Sequence, residues 1–179
     1  MAAYGTLDVL FLLGVDEIEI APGAFVIYVG THGDRGASRA DVVLPGAAYP
    51  EKSATYVNTE GRIQVATRAS FPPGDAREDW AILRALSDVL KHRLPYDSLR
   101  ALREIMYKAH PHLLHVGQIT PGDPAEIRKL AALAGNTDRA LFTSIVDDFY
   151  LTNPIARASA VMAECSALAL GRAAATAAE

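Results

Sequence analysis

Two apolar runs near the start of the chain constrain its fold more than any other feature of the sequence. They cover residues 7–15 and 24–29, with an acidic stretch and Ala21-Pro22-Gly23 between them. Short apolar runs bounded by turn residues are typical of buried strands. A third run, residues 41–44, follows after only eleven residues, which is barely enough for a crossover with a short helix. The chain is therefore predicted to begin with part of an α/β sheet.

A hairpin and several helices are predicted after this sheet. The hairpin pairs residues 54–58 with 62–65 around the turn Thr59-Glu60-Gly61. Capping residues, prolines and apolar spacing predict helices at 76–92, 98–109, 124–135 and 154–178. The sequence thus predicts a Rossmann-like α/β segment over residues 1–92 and a helical C-terminal extension over residues 93–179.

The first of these helices carries the strongest expectations. Asp75 and Glu78 have the spacing of a capping box, which would begin the helix at residue 76. Trp80 lies on its broad apolar stripe. We expect Trp80 to be buried and to anchor the helix on the sheet.

Composition excludes several classes of function. Cys165 is the only cysteine, so the chain cannot hold an iron–sulfur cluster or a CxxC metal site with its own thiolates. A formal net charge of −4 argues against a general attraction to nucleic acid or anionic lipid. The apolar runs are far shorter than the roughly 20 residues of a membrane-spanning helix. The expected partner is protein.

A glycine-rich turn follows the second predicted strand. Its glycines, Gly30, Gly33 and Gly36, have G-x-x-G-x-x-G spacing, which differs from that of a dinucleotide-binding loop. A plain structural turn is favoured over a phosphate cradle. Arg35 and Arg39 could meet an anion there, or acidic groups on a neighbouring subunit.

Polar clusters elsewhere have structural interpretations. His110, His112 and His115 flank a proline at a helix-to-loop junction, which favours exposed loop histidines over a metal site. Asp147 and Asp148 are expected to precede a packed Phe149-Tyr150, and Cys165 is expected to be a small buried or interface thiol. The sequence predicts no catalytic, cofactor-binding or metal-ligating residue.

The segment from Ala40 to Gln64 is the most informative. Physically, it is a short strand, a Pro-Gly bend and a hairpin that brings polar side chains together. Asn58 and Gly61 are predicted to shape the turn, while Glu51 and Arg62 are predicted to pair near Glu60.

This segment also resembles a known signature. Asp41-Val-Val-Leu-Pro45, then Glu51, then Thr55-x-x-Asn58-x-Glu60-Gly61-Arg62-x-Gln64 is similar to the motif of the molybdopterin oxidoreductase fold. The longer stretch that carries this motif resembles one branch of the family, the large iron–sulfur subunit of respiratory complex I, the NADH:quinone oxidoreductase. Its sequence is Gly46-Ala-Ala-Tyr-x-Glu51-Lys-Ser-Ala-Thr-Tyr-Val-Asn-Thr-Glu-Gly-Arg62. Supporting likenesses follow in the family's order: Ala76-Arg-Glu-Asp-Trp80, Leu94-Pro-Tyr-Asp97, Asp148-Phe-Tyr150, Arg157-Ala-Ser159 and Met162-Ala163.

The resemblance implies a structural and interaction role in the peripheral arm, without a redox centre in this chain. Ala54 stands where cofactor-binding relatives commonly have glycine, and the complex I branch has lost the molybdopterin. The resemblance places the iron–sulfur clusters in a partner or a missing N-terminal part. The alternative is the cofactor-binding portion of a molybdopterin-dependent oxidoreductase, and a weaker one is a free-standing α/β protein with its own ligand.

The resemblance also implies partners and a location. The partners are other peripheral-arm subunits, including a chain with the rest of the large subunit. The location is the matrix side of the mitochondrial inner membrane or, alternatively, the cytoplasmic face of a bacterial plasma membrane. Because the family subunit begins with cysteine-rich domains that this sequence lacks, we expect another polypeptide to complete the sheet.

Overall fold

The computed structural model describes residues 5–15, 17–133, 135 and 139–176. By its internal contacts the chain divides into two compact units. The first comprises Met1–Ala47 with Phe142–Glu179, and the second comprises Ala48–Leu141. The predicted domain boundary at residues 92/93 stays a prediction.

A three-stranded parallel sheet organises the first unit. Its strands are β1 (Val9–Leu13), β2 (Phe25–Gly30) and β3 (Val42–Pro45), in the order β1-β2-β3. Register pairs Val9 with Phe25 and Ile27 with Val42. The short crossover between β2 and β3 holds one helical turn, α1 (Arg35–Ser38). The predicted α/β class is confirmed, and β1 is shorter at both ends than its apolar run.

The two faces of this sheet differ in burial. One face forms a core of Leu12, Val26 and Tyr28, against which the chain on either side of the strands packs. Five side chains on the other face are between 37% and 50% exposed, namely Val9, Phe11, Leu13, Phe25 and Val42, whereas Val29 on the same face is 1% exposed. We call this second face the apolar sheet face. Since strands of a parallel sheet are ordinarily covered on both faces, this exposure is unusual.

The second unit begins with the predicted hairpin. Strands β4 (Ala54–Val57) and β5 (Ile63–Ala66) are antiparallel, with Thr55 opposite Val65. Ile63 is only 1% exposed. A single turn of 3₁₀ helix, Tyr49–Glu51, precedes the hairpin. The hairpin prediction is confirmed.

Two eleven-residue helices follow, α2 (Asp79–Val89) and α3 (Leu99–Ala109). Helix α3 begins as predicted, because the Ser98 side chain accepts a hydrogen bond from the Ala101 N–H. Helix α2 does not begin at residue 76, and the predicted capping box is wrong. Ala76 N–H donates to the Pro73 carbonyl in a turn, and Glu78 takes the N-cap position in extended geometry.

The predicted packing of α2 also needs correction. Trp80 is half-buried and not buried, and its indole N–H donates to the Glu78 carboxylate at 2.7 Å. Arg84 and Ser87 are the buried residues of this helix, whereas Val89 is 77% exposed. The buried face therefore follows positions 80, 84 and 87, one turn apart, and includes a charge that the apolar stripe did not indicate.

The later helices are shorter than predicted. Asp123 caps α4 (Pro124–Ala131) as expected, but that helix ends four residues before Gly135. Asn153 caps α5 (Pro154–Arg157), and a separate helix, α6 (Ala160–Thr176), follows. The predicted single helix over 154–178 is therefore broken near Ser159, and residues 177–178 lie outside the described residues. In the part of the chain that the structure describes, no helix has the length and apolarity to cross a bilayer.

Candidate functional site

The hairpin turn is held by one side chain and one backbone conformation. The Asn58 side-chain oxygen accepts hydrogen bonds from the Glu60 and Arg62 N–H groups at 3.0 and 2.9 Å. Gly61 has φ +84°, a conformation that L side chains rarely adopt. The prediction that Asn58 and Gly61 shape this turn is confirmed.

The predicted pairing of Glu51 with Arg62 is wrong, because each has other partners. The Glu51 carboxylate accepts from the Ala48 N–H at 2.9 Å and so closes the 3₁₀ turn before β4. The Arg62 guanidinium donates to the Gly117 carbonyl at 2.9 Å and lies 3.5 Å from the Glu60 carboxylate. Glu51 thus fixes local chain geometry, while Arg62 connects the hairpin to a segment 55 residues later.

The glycine-rich turn is packed by a side chain of its own strand. A Cβ atom at Gly30 would lie 2.3 Å from Tyr28 Oη, and Tyr28 is 2% exposed with its hydroxyl donating to the His32 carbonyl. The absence of a side chain at Gly30 is therefore explained by the Tyr28 ring. The structural interpretation of the turn accounts for this glycine.

Both acidic and basic side chains line a cavity beside this turn. Arg35 lines this cavity of about 400 Å³ together with Arg157, which pairs with Glu17, and with the acidic Asp147 and Asp148. An anion placed there would meet these negative charges, and α1 is a helix of only four residues. These residues do not fit the phosphate of a pterin dinucleotide. The absence of a cofactor nevertheless stays a prediction.

Arg157 connects distant parts of the first unit. Its guanidinium donates to Asp34 in the glycine-rich turn, to Glu17 at 3.1 Å, and to the Leu151 carbonyl at 3.1 Å. Its side chain is 21% exposed. A half-buried arginine with several acceptors holds its neighbours through charge-assisted hydrogen bonds.

Asp148 orders the segment before α5. One carboxylate oxygen accepts from the Tyr150 N–H at 2.9 Å, and the other accepts from the hydroxyl of Ser166, which is 6% exposed. Phe149 is 78% exposed, so the expectation of a packed Phe149 is wrong. The structure gives Asp148 a capping and tethering role.

Arg84 is the centre of a charged cluster in the second unit. It lies 2.7 Å from both Asp88 and Asp97 and is 8% exposed. Hydrogen bonds from Arg84, and then from Arg93, hold the pKa of Asp97 below its ordinary value. The hydrogen bond to Asp88 is the main reason that the pKa of Arg84 is raised. Asp97 thereby ties the end of the loop between α2 and α3 to α2.

The histidines predicted to be loop residues are exposed. His110 and His112 have ring centroids 6.0 Å apart, and His115 is exposed as well. Among the described residues, no group of three or more His, Cys, Asp or Glu side chains is placed to hold a metal ion. Cys165 is half-buried in α6.

The sequence did not single out Arg84, Arg157 or Ser166, whose side chains hold these clusters together. Arg84 shares a helix face with Trp80, four residues earlier, which is the one local signal of its burial. The partners of Arg157 lie as far as 140 residues away in the chain, so no local pattern indicates them. Ser166 lies in an alanine-rich segment whose nearby leucines, Leu168 and Leu170, are exposed, so the apolar pattern does not indicate its burial.

Comparison with known proteins gives the class first. Residues 1–89 match the molybdopterin oxidoreductase family, and residues 118–165 match the family of C-terminal segments from the G-type subunit of NADH-ubiquinone oxidoreductase. The part of the chain that carries the parallel sheet is thus similar to the molybdopterin oxidoreductase family.

The particular relatives are subunits of NADH-ubiquinone oxidoreductase. The chain is 47% identical over 161 residues to the 75 kDa subunit of Reclinomonas americana, which covers 89% of this chain and 23% of that one. It is 47% identical to the mitochondrial 78 kDa subunit of Candida albicans (87% and 23% covered) and 46% identical to that of Neurospora crassa (88% and 22%). The chain thus spans less than a quarter of the length of these relatives. It corresponds to the C-terminal region of the 75/78 kDa subunit, and the resemblance predicted from the sequence is confirmed.

Proposed function

We propose that this chain is a structural and interaction segment of the large iron–sulfur subunit in the peripheral arm of an NADH:quinone oxidoreductase. In this role it supports electron transfer from NADH to quinone without a redox centre of its own. The observation that carries the proposal is the 47% identity to a 75 kDa subunit of that enzyme.

The chemistry of the residues supports a role outside the electron path. The chain has one cysteine, which is too few for an iron–sulfur cluster. Its polar clusters, centred on Arg84, Arg157 and Asp148, connect segments of the chain to one another. These charged side chains are paired within the chain, as expected for residues that stabilise its fold.

The apolar sheet face supports the proposed protein partners. Large apolar side chains that stay half-exposed on a sheet are typical of surfaces covered by another protein. The partners are then other peripheral-arm subunits and the polypeptide with the rest of the large subunit. The proposed location is the matrix side of the mitochondrial inner membrane, or the cytoplasmic face of the plasma membrane in a bacterium.

Co-migration tests this proposal. An epitope-tagged copy of the chain is expressed in its source organism, and native gels of solubilised membranes are stained for NADH oxidation. We expect the tag to migrate with that activity and with iron–sulfur signals that the chain cannot generate. A tag that migrates entirely apart from the NADH-oxidising band would refute the proposal.

A second candidate function is the cofactor-binding portion of a molybdopterin-dependent oxidoreductase. The match of residues 1–89 to that family favours it, while the acidic surroundings of Arg35 count against it. Metal analysis of the purified tagged complex separates the two candidates. Molybdenum or tungsten in stoichiometric amount with this chain would favour the second.

A further inference from the structure

The cavity beside the glycine-rich turn contains charged groups that the proposed function does not use. Its volume is about 400 Å³, which lies within the range of small-molecule sites. All of its lining residues belong to the first unit. Five of the lining side chains are charged, namely Glu17, Arg35, Asp147, Asp148 and Arg157. The pairing among these charges decides which ligand the cavity fits.

Three of the five charges are engaged within the chain. Glu17 accepts a hydrogen bond from the Arg157 guanidinium at 3.1 Å, and Arg157 also donates to Asp34. Both carboxylate oxygens of Asp148 accept hydrogen bonds from donors of the same unit. These three side chains therefore form part of the wall, and a ligand would have to break existing bonds to use them.

Arg35 and Asp147 are the two charges that remain. Both residues line the cavity and are exposed, so their charged groups are accessible to a ligand. Among the described residues, neither side chain has an ion pair or a hydrogen bond, and none joins the two to each other. The described part of the cavity thus presents one cation and one carboxylate without a counterion.

Each of these two residues lies next to an anchored neighbour. Arg35 follows Asp34, whose carboxylate accepts from Arg157. Asp147 precedes Asp148, whose carboxylate is held by two hydrogen bonds. Groups that are already positioned lose less conformational freedom when a ligand binds. The two opposite charges are therefore presented by two separate elements of a preformed cavity.

We propose that this cavity binds a zwitterionic amino acid with an apolar side chain. The Arg35 guanidinium binds the carboxylate of the ligand, and the Asp147 carboxylate binds its ammonium group. The apolar side chain of the ligand lies against Val146 and Leu151, which also line the cavity. A ligand with charge of only one sign would be attracted by one of the two residues and repelled by the other.

The probe is L-leucine, with two analogues that each lack one of its charges. Isoamylamine lacks the carboxylate, and 4-methylpentanoate lacks the ammonium group. Binding to the purified full chain is measured by saturation-transfer difference NMR. We expect saturable binding of L-leucine with a Kd on the order of 1 mM. Each analogue should bind at least about threefold more weakly, since each leaves one charged residue without a partner.

Two variants assign the charges of the site. Arg35→Met should weaken L-leucine binding at least about threefold and abolish the preference for L-leucine over isoamylamine. Asp147→Asn should weaken it similarly and abolish the preference over 4-methylpentanoate. Arg39→Met is the matched control, because Arg39 is also exposed but lies outside the cavity lining. Circular dichroism establishes that each variant is folded, as expected for substitutions of exposed side chains.

Three results would overturn the proposal. The first is no saturable signal with L-leucine, and the second is binding of either analogue as tight as that of L-leucine. The third is unchanged affinity for L-leucine in either of the folded Arg35 and Asp147 variants.

Discussion

At the scale of single residues, Asn58 and Gly61 close the hairpin by different means. Asn58 supplies an acceptor for two backbone N–H groups, and Gly61 supplies a backbone conformation. The Gly61 N–H also donates to the Asn58 carbonyl at 2.9 Å. A mutation at either position therefore acts on the turn, which also carries the Arg62–Glu60 ion pair.

Replacement of Gly61 by Val tests the conformational role. A β-branched residue at φ +84° should cost about 1–3 kcal/mol of the free energy of unfolding. We expect less assembled NADH oxidoreductase on native gels, with unchanged NADH oxidation per assembled complex. Gly74→Val is the control, because Gly74 also has positive φ, at 54°, but lies outside the hairpin. A normal amount of complex with a lower rate would instead make the hairpin part of the catalytic machinery.

The exposed histidines give a second prediction at this scale. The combined replacement of His110, His112 and His115 by Ala removes all three imidazoles from the α3–α4 connection. NADH oxidation by an assembled complex should stay near normal, since exposed side chains that hold no metal are usually tolerant of substitution. Loss of turnover in a fully assembled triple variant would show that this segment takes part in the chemistry.

At the scale of elements, the loop between α2 and α3 is closed by the buried Arg84. Ser87 reinforces this closure, because its hydroxyl donates to the Arg84 carbonyl and accepts from the Leu94 N–H at 3.1 Å. Arg84 reaches Asp97 at the far end of the loop. Within the resemblance at Leu94-Pro-Tyr-Asp97, Leu94 thus donates to Ser87 and Asp97 accepts from Arg84.

The ion pair between Arg84 and Asp97 makes the free energy of unfolding depend on pH. The folded-state pKa of Asp97 is lowered by Arg84 and Arg93, so its stabilising contribution is present above the unfolded pKa near 3.8. That contribution is lost as the pH falls through the lower folded-state pKa. Urea unfolding between pH 7 and pH 2 should therefore show a stability difference between the wild type and Asp97→Asn that narrows in acid.

Glu104→Gln is the control for this measurement. Glu104 pairs with Arg100 on the exposed surface of α3, where screening by solvent keeps ion pairs weak. The free energy of unfolding of Glu104→Gln should differ little from that of the wild type between pH 7 and pH 2. A difference for Asp97→Asn that is constant with pH would contradict the assigned cause of the pKa shift.

Elements were predictable from the sequence where the signal was local. Apolar runs placed the strands, and Ser98, Asp123 and Asn153 marked the starts of their helices. The start of α2 was misplaced because Asp75 and Glu78 have capping-box spacing while Glu78 bonds to Trp80 instead. The cavity of about 330 Å³ in the second unit was unpredictable, since it is lined by β4, α2 and α3, which are separate in the sequence.

At the scale of the whole molecule, the apolar sheet face distinguishes this chain from a self-contained α/β protein. Five of its large side chains are exposed, although the opposite side holds the buried Leu12, Val26 and Tyr28. Because β1 is an edge strand, its unpaired backbone groups add a template for association with another chain. The apolar sheet face and the edge strand β1 support the proposed contacts with neighbouring subunits.

A pair of valine-to-lysine variants tests this interpretation. Val9 lies on β1 in the apolar sheet face at 50% exposure, and Val89 lies at the end of α2 at 77% exposure. Val9→Lys should raise the solubility of the isolated chain and reduce its co-migration with NADH oxidation, because a charge on the face opposes burial. Val89→Lys should leave co-migration unchanged. Equal effects of the two variants would show that the sheet face is not a contact surface.

The exposed sheet face also has a consequence for the supply of this chain in the cell. A copy that has not met its neighbours presents the kind of surface that holdase chaperones bind and quality-control proteases remove. We therefore expect the steady-state abundance of the chain to follow the abundance of its neighbours, whatever its own rate of synthesis. Overproduction of the chain alone should increase turnover and leave the amount of assembled material unchanged.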